Sequence, residues 1–281
     1  MYAPWPRYHR PVRSFVRRDN RLTPGQARAY DQLWPHFGID WPPGTSLDLP
    51  VLFGNSSPVY LEIGFGNGES LAELATRHPQ CNYLGIEVHR PGVGHLLLEI
   101  ERRELTNLRV CCHDAVEVLE QGLAPASLAG IYLLFPDPWP KRRHHKRRIL
   151  GRELVPVLAR VIRPGGLLHA ATDWAPYARQ MLALLTDADD RFVNAAGPGF
   201  FHPGPKTRPS TRFEQRGICL GHRVRDLIFY RRWSSMTMHH HHDRDNPAIG
   251  PNSRHSACAP ERTGEIAHCR RDTHSSWPIF I

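Results

Sequence analysis

The segment VYLEIGFGNGES, Val59 to Ser70, begins with an apolar run and then sets three glycines, Gly64, Gly66 and Gly68, at alternate positions. Glu69 and Ser70 open an amphipathic stretch straight after them. Such a pattern predicts a strand, a tight turn and a helix. Glycines at the turn permit positive φ and let a ligand approach the backbone closely. A dinucleotide motif G-x-G-x-x-G would need its third glycine at position 69, which is Glu69. A P-loop would need a Lys followed by Ser or Thr, and the segment has none.

Further along the chain the same texture repeats. NYLGIEV predicts a second strand, followed by a helix through Gly94–Arg103; LRVCCHD predicts a third, followed by a short helix over AVEVLEQ. AGIYLLF, a helix near Arg152–Ile162, and GGLLHAAT supply the fourth and fifth strands. A helix near Tyr177–Leu185, the loop GPGFFHPGPKTRPS, a helix starting near Thr211 and a closing strand in RVRDLIFYRRW complete the pattern. Strands alternating with helices at this spacing predict an α/β fold: a doubly wound, mostly parallel sheet with helices on both faces and the last strand antiparallel. Residues 47–233 form this domain. Residues 1–46 are read as a basic extension with one short helix near Gly25–Trp34 and no strong strand. Residues 234–281 lack periodicity and are expected to be disordered; the run His239–His242 there reads as a solvated polar tract.

Four predicted strands each end on an acid: Glu62, Glu87, Asp114 and Asp137. Open α/β sheets bind ligands at that edge. A carboxylate two residues before the first glycine would repel a pyrophosphate and attract a cation. Glu87 stands where an acid meets ribose hydroxyls, and Asp114 could accept from an adenine amine. Each acid also has an ordinary explanation as a helix cap, Asp114 above all. Together they suit a ligand with hydroxyls, an amine and a positive charge. S-adenosylmethionine fits this description, and NAD fits it less well.

Charge points to a second ligand. Lys and Arg number 36 against 27 Asp and Glu, a net +9. The segment after Trp233 has five of each sign, so the excess lies wholly in the first 233 residues. A basic domain suggests a polyanion, with nucleic acid first and an anionic membrane surface second. No stretch approaches the roughly 20 apolar residues of a membrane span, and the opening MYAPWPRYHRPVRS lacks the apolar core of a secretion signal. Six cysteines without paired spacing read as reduced thiols, and a cytoplasmic location is expected.

The motifs LEIGFGNGESL, YLGIEVHRPGVG, NLRVCCHDAVEVL, FPDPWPKRRHHKRR, ATDWAPYA and STRFEQRG together resemble the bacterial tRNA (guanine-N7)-methyltransferases, from about Val12 to Arg232. The resemblance implies a class I, Rossmann-like methyltransferase. Its reaction would carry methyl from S-adenosylmethionine to N7 of guanosine 46 in the tRNA variable loop, leaving S-adenosylhomocysteine. Glu62, Gly64, Gly66, Gly68, Glu87, Asp114 and Asp137 would hold the cofactor, with Asp137 also catalytic. Lys141, Asp173, Thr211, Arg212, Phe213 and Glu214 would contact the substrate. Arg142, Arg143, His144, His145, Lys146 and Arg147 would touch RNA. The expected partner is tRNA, with no metal, no membrane and no obligate protein partner. Pro140 stands where the family often has a polar residue.

Guanine N7 carries an in-plane lone pair and no proton, so no general base is needed. Catalysis then rests on alignment and on carboxylates near the emerging cation. Prolines on both sides of Asp137 fix its backbone. Trp139 either packs on the base or seals the core. The basic run to Arg148 reads as phosphate contact, and Arg13, Arg17 and Arg18 as a second clamp or a flexible arm. Thr211 and Glu214 spell a T-x-x-E capping box. Asp173 suits either the guanine N1–H and N2 amine or a helix cap. Two other readings stay open: a methyltransferase acting on an exocyclic amine, and a tRNA-binding protein without catalysis.

Overall fold

The computed structural model describes residues 12–15, 21–204 and 208–233. Its centre is an eight-stranded sheet: β1 (Gly38–Ile39), β2 (Val59–Ile63), β3 (Asn82–Ile86), β4 (Leu108–Cys111), β5 (Leu128–Leu134), β6 (Ile162–Thr172), β7 (Phe192–Asn194) and β8 (Arg225–Arg231). Their spatial order is β1-β4-β3-β2-β5-β6-β8-β7. All neighbours are parallel except that β8 runs antiparallel to both β6 and β7. This is the fold the alternating pattern predicts.

Side chains alternate across each strand, so the central strands feed two cores. On one face α1 (Pro24–Phe37), α3 (Glu69–Arg77) and α4 (Arg90–Arg102) bury Ala29, Leu71, Leu74, Leu96, Leu97 and Ile100. The other face is covered by α2 (Leu49–Phe53), α5 (Ala115–Glu117, continued by a π-turn to Gly122), α6 (Leu154–Val161) and α7 (Ala175–Thr186). Each buried Leu or Ile contributes about 1.5–3 kcal/mol. A final helix, α8 (Arg212–Cys219), precedes β8.

Helix α1 starts at a reciprocal capping box: the Gln26 amide donates to Thr23 Oγ1, and the Thr23 amide donates to Gln26 Oε1. The chain then enters β1, which pairs parallel with β4, so part of the predicted N-terminal extension joins the sheet. Sequence periodicity missed β1, β7 and α2, which have two, three and five residues, too few to show a period. Arg17, Arg18, His239–His242 and the predicted tail lie outside the described residues. No helix among the described residues is long and apolar enough to cross a membrane.

Strand β2 lies between β3 and β5. The chain runs outward from β2 to β3 on one side and from β5 to β6 on the other, so the connections of these two neighbours diverge, which opens a crevice beyond their carboxyl ends. Helix α4 packs tightly on the glycine turn: a Cβ on Gly92 would stand 2.1 Å from the Gly66 carbonyl oxygen. The turn is thus set in place from the side.

Candidate active site

Gly64, Gly66 and Gly68 have φ of +69°, +60° and +77°, a region that L side chains rarely adopt. Gly68 leads directly into α3, and its Cβ would strike Leu96. At Gly64 nothing lies within 4 Å of where a Cβ would project, so the backbone there is open.

Glu62 lies opposite Gly85 of β3 and Tyr132 of β5, and is 2% exposed. Its Oε2 accepts no hydrogen bond from any described residue. Burial, followed by the nearby charge of Glu87, pushes its carboxyl up to about 8. Glu87 is held differently. It accepts from the amides of Gly66 at 2.9 Å, Val88 at 2.7 Å and His89 at 3.0 Å. It therefore ties the glycine turn to the tip of β3. Asp114 is buried and caps α5, accepting from the Val116 amide at 3.0 Å. The capping explanation thus holds for Asp114, and its place at the tip of β4 leaves it on the same sheet edge.

Beyond β5 the chain turns sharply. Phe135 and Trp139, neither a glycine, have φ of +51° and +45°, and they bracket Pro136, Asp137 and Pro138. Non-glycine residues held there are strained by roughly 1–3 kcal/mol each and need surrounding structure to keep them so. Arg148 is part of that support. Its Nε donates to the Pro138 carbonyl at 2.8 Å, its guanidinium lies 4.9 Å from the Tyr177 ring centroid, and Nη1 donates to Gln180. The basic run in the sequence puts Arg148 on the phosphate-contacting surface. It is buried instead, because the loop carbonyl and α7 offer it partners that water would otherwise supply. Asp137 itself is exposed. Burial pushes the Tyr177 hydroxyl up, the Leu150 amide and Arg148 pull it down, and the charge of Asp137 adds to the rise.

Trp139 is half-buried. Its indole donates to the Ser14 carbonyl at 3.3 Å, and Arg147 lies 4.9 Å from its ring centroid. Arg142–Arg147 form a 3-10 helix; Lys141, Arg142, Arg143 and Lys146 are exposed, and His144, His145 and Arg147 half-exposed. Burial and then the surrounding cations hold the His144 imidazole below its ordinary value.

Farther along the chain, Thr211 caps α8, accepting from the Glu214 amide at 3.1 Å. The second half of the predicted capping box is replaced: both Glu214 oxygens accept from Arg208. Asp173 follows β6 and lies 3.0 Å from His222 Nδ1. Arg212 and Phe213 sit in the first turn of α8, and their side chains lie outside the described residues. Sequence reasoning missed Arg208, Asp226, His169 and Gln180. His169 and Asp226 carried a legible signal, since each is a polar residue inside an apolar strand run and must find a partner there.

No group of three or more His, Cys, Asp or Glu side chains among the described residues could hold a metal ion. Residues 56–227 match the family model described as "Putative methyltransferase". The chain is 56% identical over 224 residues to the tRNA (guanine-N(7)-)-methyltransferase of Alkalilimnicola ehrlichii, covering 79% of this chain and 94% of that protein. It is 54% identical over 220 residues to the same-named protein of Halorhodospira halophila, covering 78% and 95%. Among solved structures it is similar to the antibiotic-resistance methyltransferase Kmr, with a TM-score of 0.49 and 18% identity over 70% of this chain and 96% of that one.

Proposed function

The chain belongs to the tRNA (guanine-N7)-methyltransferase family, and from that premise we propose that it carries the methyl group of S-adenosylmethionine to N7 of guanosine 46 in the tRNA variable loop. The observation that carries the cofactor assignment is Glu62: a buried carboxylate at the sheet's switch point with one oxygen accepting no bond from the described residues. Such a group is costly in an apolar setting unless a cation or donor meets it. The open backbone at Gly64 leaves space beside it. These residues fit the proposed cofactor.

Glu62 and Glu87 would receive its positive and hydroxyl groups, and Asp114 its adenine side. The bound cofactor supplies an electrophilic methyl on a sulfonium. Its chemistry would be to give that methyl to the N7 lone pair, the C–S bond yielding to the new C–N bond, and the chain's residues would then face a positive charge on the imidazole ring of guanine. No proton moves in this step. Asp137, exposed on a strained loop near that edge, would stabilise the emerging cation. Lys141 and the exposed arginines of the 3-10 helix would hold phosphates, and Asp173 and the N-terminal end of α8 would meet the base. A cytoplasmic location would follow from such a substrate.

Incubating the protein with unmodified tRNA and labelled cofactor, followed by nuclease digestion and mass spectrometry, tests this. The expected product is 7-methylguanosine at position 46 alone. A label on an exocyclic amine, or tRNA that binds and stays unlabelled, would overturn the reading.

A further inference from the structure

We propose that Arg208 is a positioning residue for methyl transfer, fixing α8 against the Phe135–Trp139 loop so that the target base and Asp137 meet in register. The inference rests on the function proposed above, because it is that reading which gives α8 and Asp137 their roles.

Arg208 is buried in the segment ahead of α8. Its Nε donates to Asp226 Oδ1 at 2.7 Å and Nη2 to Oδ2 at 3.2 Å. Nη1 donates to Glu214 Oε2, and Nη2 to Oε1 at 2.7 Å. The guanidinium carbon lies 5.7 Å from the ring centroid of Phe135, the left-handed residue that starts the Asp137 loop. One side chain therefore touches the helix that carries the predicted base-binding residues, the loop that carries the predicted catalytic acid, and the sheet through β8. Asp226 is anchored in turn by His169 of β6, whose Nε2 is 2.9 Å away.

The electrostatics favour a rigid joint. Burial alone would lower the Arg208 pKa, but the bonds from Glu214 and Asp226 raise it, so the charge is fixed. Burial likewise pushes the Asp226 carboxyl up, and His169 and Arg208 outweigh it and leave it lowered. A planar guanidinium engaged by two carboxylates sets distance and plane together, which a lysine ammonium cannot reproduce. Both oxygens of Glu214 accept from Arg208, so this acid ties the first turn of α8 to the joint.

The experiment uses the full chain and separates turnover from binding. In Arg208→Lys, kcat on tRNA falls on the order of a hundredfold, as expected when a reacting group is displaced by about 1 Å. Dissociation constants for the cofactor and for tRNA stay within about threefold, since the groups that bind them are untouched. Glu214→Gln lowers kcat by about tenfold, and the double variant loses little more than Arg208→Lys, because the two residues act as one unit. Arg160→Lys is the control for plain destabilisation. Arg160 donates to the backbone carbonyls of Leu119, Glu120 and Leu123 and belongs to no part of the site, so its variant lowers Tm and keeps kcat. An unchanged kcat in Arg208→Lys overturns the proposal, as does a loss of both binding affinities in proportion to kcat. If Arg208→Lys does not fold, Glu214→Gln decides: kcat reduced with binding intact supports the joint, and kcat unchanged overturns it. A wild-type protein that transfers no methyl to guanine N7 overturns the underlying function, an outcome visible before any variant is made.

Discussion

At the tips of β2 and β3, Glu62 is buried beside another carboxylate, and one of its oxygens accepts no bond from the described residues. At β6 and β8, Asp226 is equally buried, yet it accepts from Arg208 and lies 2.9 Å from a ring nitrogen of His169. These two acids have the same chemistry and nearly the same exposure, and they differ only in what the fold brings to them. Where every partner is internal, a buried charge builds structure. Where a partner is withheld, the charge raises the free energy of the empty protein and lowers that of a complex with a suitable cation. The sheet thus satisfies its buried acid on the β6–β8 side and leaves the one on β2 with an oxygen that accepts nothing from the described residues.

Substitutions can break that contrast. Asp226→Asn leaves Arg208 short of one carboxylate in a buried site, and stability falls by about 3–5 kcal/mol, measured by urea unfolding. A loss no larger than that of a surface substitution would mean that the network is ornamental. Asp137→Ala removes an exposed carboxylate, so Tm stays within a few degrees. Its kcat on tRNA drops on the order of a hundredfold to a thousandfold, the range for losing one group aimed at developing charge.

Glu62→Gln should act in the opposite sense to Asp226→Asn. Cofactor affinity weakens by roughly 2 kcal/mol or more, read by calorimetry, while the free protein becomes more stable at pH 8. The sign follows from linkage. The Glu62 carboxyl stands at about 8 in the folded chain against an ordinary 4.5. Between those values the unfolded chain gives up its proton first, so the free wild-type protein loses stability as pH rises and levels off above about 8. The Gln variant lacks that decline, and Tm measured at pH 5 and pH 8 separates the two. Asp226 titrates the other way: its lowered carboxyl contributes stability above the ordinary carboxylate range and loses it as pH falls. Cofactor binding to the wild type below pH 8 should also expel the Glu62 proton, so the heat of binding should vary with the ionisation enthalpy of the buffer.

The smallest effect concerns the outer surface. Lys141→Ala with Arg142→Ala should leave Tm and cofactor affinity unchanged. The slope of log K for tRNA against log salt should become shallower by roughly 0.7–0.9 for each phosphate that the protein no longer neutralises. An unaltered slope would remove these two residues from the RNA-binding surface.

The glycine turn and the acids at the strand ends were legible in the sequence. Glycines at alternate positions after an apolar run, and acids at strand ends, report geometry that neighbours within a few residues impose. The basic run was legible as well, but not its last member. Arg148 looks like its neighbours in sequence, and only the Pro138 carbonyl, Gln180 and Tyr177 distinguish it. The Thr211–Glu214 spacing correctly marked a helix start, yet it could not show that Arg208 takes both oxygens of the acid.

The sequence by itself determined the alternation of strands and helices, the turn at Gly64–Gly68 and the residues that stand at the sheet's carboxyl edge, because apolar period and glycine φ are local properties. Tertiary structure alone decided which charges are satisfied. Asp226 and His169, or Arg148 and Gln180, meet only when the chain closes, and the cost of a buried charge depends on the groups that closure brings within hydrogen-bonding distance.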